Sequence, residues 1–80
     1  MILCCGEALI DFMPIQKGNS QTFYKPCPGG SPLNTSVALG RLNHHVGILT
    51  GISTDFFGKQ LISHLEESSV DCSMVVRSNL

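Results

Sequence analysis

Two glycines, a proline and an asparagine stand together in the stretch Gly29-Gly30-Ser31-Pro32-Leu33-Asn34. Without a Cβ, a glycine lets backbone approach a ligand closely. Proline suits the first position of a helix, where its missing N–H has no intrahelical partner to lose. The other N–H groups of that first turn stay free to donate. The amide of Asn34 both donates and accepts. The stretch can therefore cradle a polyhydroxylated ligand or an anion. It can equally be a tight loop entering a helix, with Asn34 bonded to nearby backbone.

Two carboxylates precede it, Glu7 and Asp11. A catalytic pair is excluded if the chain between them stays extended, because four residues then span about 13 Å. Paired carboxylates that cleave glycosidic bonds sit closer, roughly 5–9.5 Å apart. Asp11 remains open as an acceptor for ligand hydroxyls, or as a solvated or turn-capping aspartate. Neither G-x-G-x-x-G nor G-x-x-x-x-G-K-[ST] occurs, so neither familiar nucleotide loop is encoded. The four cysteines, Cys4, Cys5, Cys27 and Cys72, have no C-x-x-C spacing. Cys4 and Cys5 are neighbours in an apparent strand and point to opposite faces. Buried free thiols are expected, and His44, His45 and His64 complete no zinc pattern with them.

The chain has 80 residues, a formal net charge of −1, 42% hydrophobic residues and 14% charged ones. A body this small has a large surface to cover, so such low charge suggests apolar surface that expects a partner or further chain. No basic stripe marks a nucleic-acid footprint. No apolar run approaches the ~20 residues of a membrane helix. Met1 leads into an apolar run without a basic n-region or a small-residue cleavage site, and the expected location is cytoplasmic.

The elements that must position the cradle follow from the pattern. Ile2-Leu3-Cys4-Cys5 is a short apolar run ended by Gly6, as in a strand buried on both faces of a parallel sheet. Polar groups just beyond such a strand are where open α/β sheets hold ligands. Residues 13–28 have no helical period. Lys17-Gly18-Asn19-Ser20 is a turn, Gln21-Thr22-Phe23-Tyr24-Lys25 is rich in β-formers, and Pro26 and Pro28 stop any central strand. A projecting hairpin is expected, in which Phe23 and Tyr24 either cover a ligand or pack the hairpin. A helix is expected over 32–43, with Leu33, Val37, Leu39 and Leu42 on its apolar face. Ala38 and Gly40 would allow close packing, and Asn43 suits the left-handed helix end. A second buried strand is expected over 46–52. The clearest helix spans 55–69, capped by Asp55 or Thr54, with Phe57, Leu61, Ile62 and Leu65 on one face. Gly58 costs that helix about 1 kcal/mol against alanine, which suggests a close backbone contact. A third strand is expected over 74–77. Helices alternating with buried strands give right-handed βαβ crossovers, and three parallel strands with two helices leave their sheet incompletely covered.

With these residues assembled, the chain resembles the N-terminal part of the ribokinase-like (PfkB) carbohydrate kinases, fructokinase-type members above all. The resemblance rests on Gly6-Glu7-Ala8-Leu9-Ile10-Asp11, on Gly29-Gly30-Ser31-Pro32-Leu33-Asn34-Thr35-Ser36-Val37-Ala38-Leu39, on Gly51-Ile52-Ser53-Thr54-Asp55-Phe56-Phe57-Gly58 and on Ser69-Val70-Asp71. It covers essentially the whole chain, and the joint order and spacing are specific. The family pattern usually has glycine where this chain has Asn43 and Ser53.

The resemblance implies an α/β fold, the N-terminal portion of a ribokinase-like, Rossmann-like three-layer fold with a parallel sheet, helices on its faces and a small β-lid. Residues 1–80 would form one sugar-binding portion, with the lid at about 13–28 and the ATP-binding and catalytic part absent. The implied activity is transfer of the ATP γ-phosphate to a sugar hydroxyl, with Mg²⁺ beside ATP in the complete enzyme. By position, Asp11, which the motif would place with the first strand, Gly29, Gly30 and Asn34 would hold the sugar. No catalytic, nucleotide-binding or metal-binding residue is assigned within these 80 residues. The family's catalytic aspartate belongs to a Gly-Ala-Gly-Asp-type motif that this chain lacks, so a fragment, inactive alone, is expected. The partner is a small sugar, fructose before 2-keto-3-deoxygluconate, with a homodimer through the lid as a further expectation. The alternatives are a nucleoside kinase of the same superfamily and a non-catalytic sugar-binding or regulatory protein.

Overall fold

The computed structural model describes residues 1–18 and 21–79. The expected turn falls partly on Asn19 and Ser20, which lie outside the described residues. The elements run β1 (Ile2–Cys5), β2 (Leu9–Lys17), β3 (Gln21–Gly29), α1 (Ser31–Arg41), β4 (Val46–Leu49), β5 (Gly51–Ser53), α2 (Phe56–Glu67), β6 (Val70–Asp71) and β7 (Val76–Ser78).

A parallel sheet forms in the order β1-β4-β6, with Ile2 opposite Val46, Cys4 opposite Ile48 and Val46 opposite Val70. Side chains alternate along a strand, so Val46 and Ile48 share one face. That face meets Leu33 and Val37 of α1 and Leu61 and Leu65 of α2, and with Ile52 and Val70 these make the core. Both helices lie on this one face. The other face carries Leu3 and Leu49, which are exposed. The incomplete cover expected from three strands and two helices is thus present.

Several expectations are corrected. The strand 2–5 forms, but it is not buried on both faces: it is an edge of the sheet, and only Cys4 among its residues is half-buried. The run 46–52 is not one strand. β6 pairs only with Val46 and Gly47, so beyond Thr50 the chain changes partner and β5 pairs in parallel with β7. The third strand of the main sheet is β6, a two-residue strand not expected from the pattern. The strand expected over 74–77 is β7, and it lies outside that sheet. The cysteines are free but not buried: Cys5 is exposed and the other three are half-buried.

The hairpin is longer than expected. β2 and β3 pair antiparallel from Leu9 opposite Gly29 to Lys17 opposite Gln21. Pro26 and Pro28 do not stop β3. A two-stranded ribbon has only edge strands, where a missing N–H can face away from the ladder. The hairpin is tied to the body by Gln60 Nε2, which donates to the Pro26 carbonyl at 3.2 Å. Phe12 and Phe57 add an edge-to-face contact with ring centroids 5.7 Å apart.

Helix ends follow the sequence closely. Asn43 takes the left-handed conformation with φ 65°, and its N–H donates to the Gly40 carbonyl at 3.0 Å. Gly40 faces the Ser68 carbonyl so closely that a Cβ would overlap it, whereas Ala38 is exposed. Asp55 caps α2: its carboxylate accepts from the Gly58 N–H at 2.9 Å and from the Ser53 hydroxyl at 2.6 Å. These bonds, the Ser53 hydroxyl first, hold the Asp55 carboxyl below its ordinary 3.8. A lowered folded-state pKa contributes stability that is present above the unfolded value and lost as pH falls through the folded one. The melting temperature should therefore fall more steeply below about pH 3.8 in the wild type than in Asp55→Ala, which should be the less stable protein at neutral pH. Parallel acid limbs for the two proteins would show that this cap contributes no acid sensitivity.

Candidate functional site

The four residues singled out as sugar ligands come from two places. Asp11 lies in β2, not with the first strand as the motif implied: Gly6, at φ 137°, ends β1 and turns the chain into the hairpin. Gly29 ends β3, Gly30 is the N-cap of α1, and Asn34 lies in the first turn of α1.

The antiparallel register brings them together. Asp11 stands directly opposite Cys27, and directly opposed residues of an antiparallel pair point to the same face. Gly29 is two residues further along β3, so it is the diagonal neighbour of Asp11. Its missing Cβ is the space that the Asp11 carboxylate occupies: a Cβ built there would meet Asp11 Oδ2 and lie 3.0 Å from Cγ. Among the described residues no hydrogen bond reaches the Asp11 carboxylate. The side chain is exposed and lies against Gly29.

Gly30 continues from Gly29 with φ 101°, a conformation that disfavours side chains, and a Cβ there would stand 2.9 Å from the Glu7 carbonyl oxygen. Its own carbonyl accepts from the Asn34 N–H at 2.9 Å, the first bond of α1. No side chain caps this helix start, no acidic residue lies in its first turn, and Pro32 stands in that turn. The contrast with α2 is direct, because Asp55 supplies a side-chain cap there. An uncapped first turn keeps backbone donors and the positive end of the helix dipole available for a hydroxyl oxygen or an anion. The Asn34 side chain is exposed beside it. Asp11, Gly29, Gly30 and Asn34 are thus linked in one unbroken series of contacts.

Two neighbours were not found from the sequence. Gly6 fits against Pro32: a Cβ would come within 2.7 Å of Pro32 Cγ, so this glycine sets how closely α1 approaches the end of β1. Its signal was a glycine directly after an apolar strand. Cys27 faces the same side as Asp11, and only the pairing register reveals it. Elsewhere, burial pushes the Cys72 thiol up, away from thiolate character.

The model of the pfkB family of carbohydrate kinases matches residues 1–79. A fructokinase from Rhizobium leguminosarum bv. trifolii is 45% identical over 73 residues, covering 91% of this chain and 22% of the relative. A 5-dehydro-2-deoxygluconokinase from Clostridium botulinum is 37% identical over 78 residues, covering 92% of this chain and 23% of the relative. In structure, the chain is similar to a fructokinase with bound ATP from Xylella fastidiosa, with a TM-score of 0.89 and 35% identity over 96% of this chain and 25% of that one. The chain therefore spans about a quarter of the length of these relatives.

Proposed function

The chain belongs to the pfkB family of carbohydrate kinases, and from that premise we propose that it forms the sugar-holding part of an ATP-dependent carbohydrate kinase of fructokinase type. The observation that carries the reading is the Asp11 carboxylate, free of intramolecular donors among the described residues and seated against Gly29 beside the uncapped start of α1.

The chemistry of these groups suits a sugar. The two oxygens of Asp11 can accept from two hydroxyls, and such charge-assisted bonds contribute roughly 1.5–3 kcal/mol each. Asn34 both donates and accepts, so it can fix a third hydroxyl in either sense. The backbone donors of α1 complete the orientation of the acceptor. The hairpin, proposed as a lid at about 13–28 and observed as a ribbon over 9–29, would cover the sugar and exclude water. It also exposes Phe12, Met13, Ile15, Phe23 and Tyr24, which supports a homodimer through the lid, readable by sedimentation. Free cysteines are consistent with a cytoplasmic location.

In phosphoryl transfer the sugar hydroxyl oxygen forms a bond to the γ-phosphorus, the bond to the leaving diphosphate breaks, and the hydroxyl proton goes to a base. ATP would supply the phosphoryl group and Mg²⁺ would offset its charge. Among the described residues no cluster of His, Cys, Asp and Glu could hold a metal ion. This chain's part is to bind and orient the acceptor.

Fructose is the favoured acceptor. A deoxy keto-sugar acid such as 2-keto-3-deoxygluconate is the second reading, favoured by the 5-dehydro-2-deoxygluconokinase relative and by the positive end of α1. The test is ATP consumption by the complete protein against a panel of ketohexoses, aldoses, sugar acids and nucleosides. Turnover on fructose above all others is expected. A preference for nucleosides would move the protein to the nucleoside kinases, and tight sugar binding without turnover would make it a binding protein.

A further inference from the structure

We propose that Gly29 acts as a positioning residue through Asp11, and that it is a glycine because the carboxylate lies in the space of its side chain, not because the backbone there must approach the sugar. The proposal rests on the sugar-binding reading of Asp11 and adds a separate role beside it.

The two adjacent glycines differ in what they require. Gly30 has φ 101°, which alone favours glycine. Gly29 is not among the residues with positive φ, and it sits in a regular strand opposite Leu9. An alanine could adopt its backbone conformation. What an alanine could not do is share the space. Its Cβ would meet the Asp11 Oδ2 and stand 3.0 Å from Cγ, while the next neighbour, Leu9 Cδ1, is at an ordinary 3.4 Å. The conflict is with one side chain only.

That side chain has no other anchor, since no donor among the described residues holds the carboxylate. Its rotamer is set by the wall it rests on. The wall is the strand that runs directly into the N-cap of α1. Gly29 therefore fixes the carboxylate relative to the backbone donors of α1, which is the relation a bound sugar would read. Because the carboxylate is the free end of a flexible side chain, adding a methyl at position 29 should displace it and leave the fold in place.

The experiment is a cycle of Gly29→Ala, Asp11→Ala and the double variant in the complete protein, read by steady-state kinetics for sugar and ATP, with a crystal structure of Gly29→Ala. Gly29→Ala is expected to raise the sugar KM about 5-fold or more, with the ATP KM unchanged. In the Asp11→Ala background the same substitution should change the sugar KM by less than about 2-fold, because no carboxylate contests the space. The crystal structure should show Asp11 in a different rotamer. Independent, additive effects of the two substitutions, or a carboxylate unmoved in the Gly29→Ala crystal, would overturn the proposal. Should Gly29→Ala fail to fold, a folded double variant supports the clash with Asp11 and an unfolded one overturns it. If Asp11→Ala leaves sugar kinetics untouched, the sugar-binding reading fails, and the rotamer in the crystal still decides the role of Gly29.

Discussion

Gly58→Ala is expected to destabilise the complete protein by about 1–3 kcal/mol, against the usual gain of about 1 kcal/mol for alanine in a helix interior. The reason is backbone, which cannot rotate away as a side chain can. A Cβ on Gly58 would overlap the Ser53 carbonyl oxygen and crowd the Ser53 carbonyl carbon and hydroxyl. That carbonyl is fixed by its own bond, accepting from the Arg77 guanidinium at 2.9 Å. The Gly58 N–H is committed to Asp55 at 2.9 Å, so α2 cannot slide back without losing its cap. The substitution must therefore open the junction of β5 and α2, next to core residues Ile52 and Leu61. Chemical denaturation measures the effect. A Gly58→Ala protein as stable as the wild type would show that α2 stands off from β5 in solution.

Asp11→Ala should lower kcat/KM for the sugar by at least 10-fold, equivalent to about 1.4 kcal/mol, chiefly through a raised sugar KM, while the ATP KM stays put. A carboxylate bonded within the protein would cost stability on removal. This one has no such bond among the described residues, so the folded protein should tolerate its loss and the ligand should not. Steady-state kinetics with each substrate varied in turn make the separation. A sugar KM within about 2-fold of wild type would remove Asp11 from the binding site.

Local chemistry was the legible part of this fold. Asp55 as a cap, Gly58 at a close contact and Asn43 in the left-handed region each announce themselves through one residue's steric or hydrogen-bonding need. What the sequence hid depends on partners distant in the chain. The run Val46 to Ile52 is apolar but for Thr50, and a single threonine followed by glycine is too weak a mark to announce the change of partner there. Val70 and Asp71 are too few to show a period of two. Pro26 and Pro28 read as stops because the sequence does not say that their strand lies in a two-stranded ribbon.

The site divides in the same way. The Gly-Gly-Ser-Pro-x-Asn order shows a helix start with free donors, and α1 begins there. The meeting of Asp11 with Gly29 needs the register of nine cross-strand pairs, which no local pattern specifies. The resemblance placed Asp11 with the first strand. The structure places it across a hairpin, where the strand entering α1 sets its position.

The most direct measurement is a crystal structure of the complete protein with fructose bound. Sugar hydroxyls are expected within about 2.5–3.0 Å of the Asp11 carboxylate oxygens, with Asn34 and the first turn of α1 bonding the same molecule. Fructose held elsewhere, with Asp11 and Asn34 facing only solvent, would contradict it.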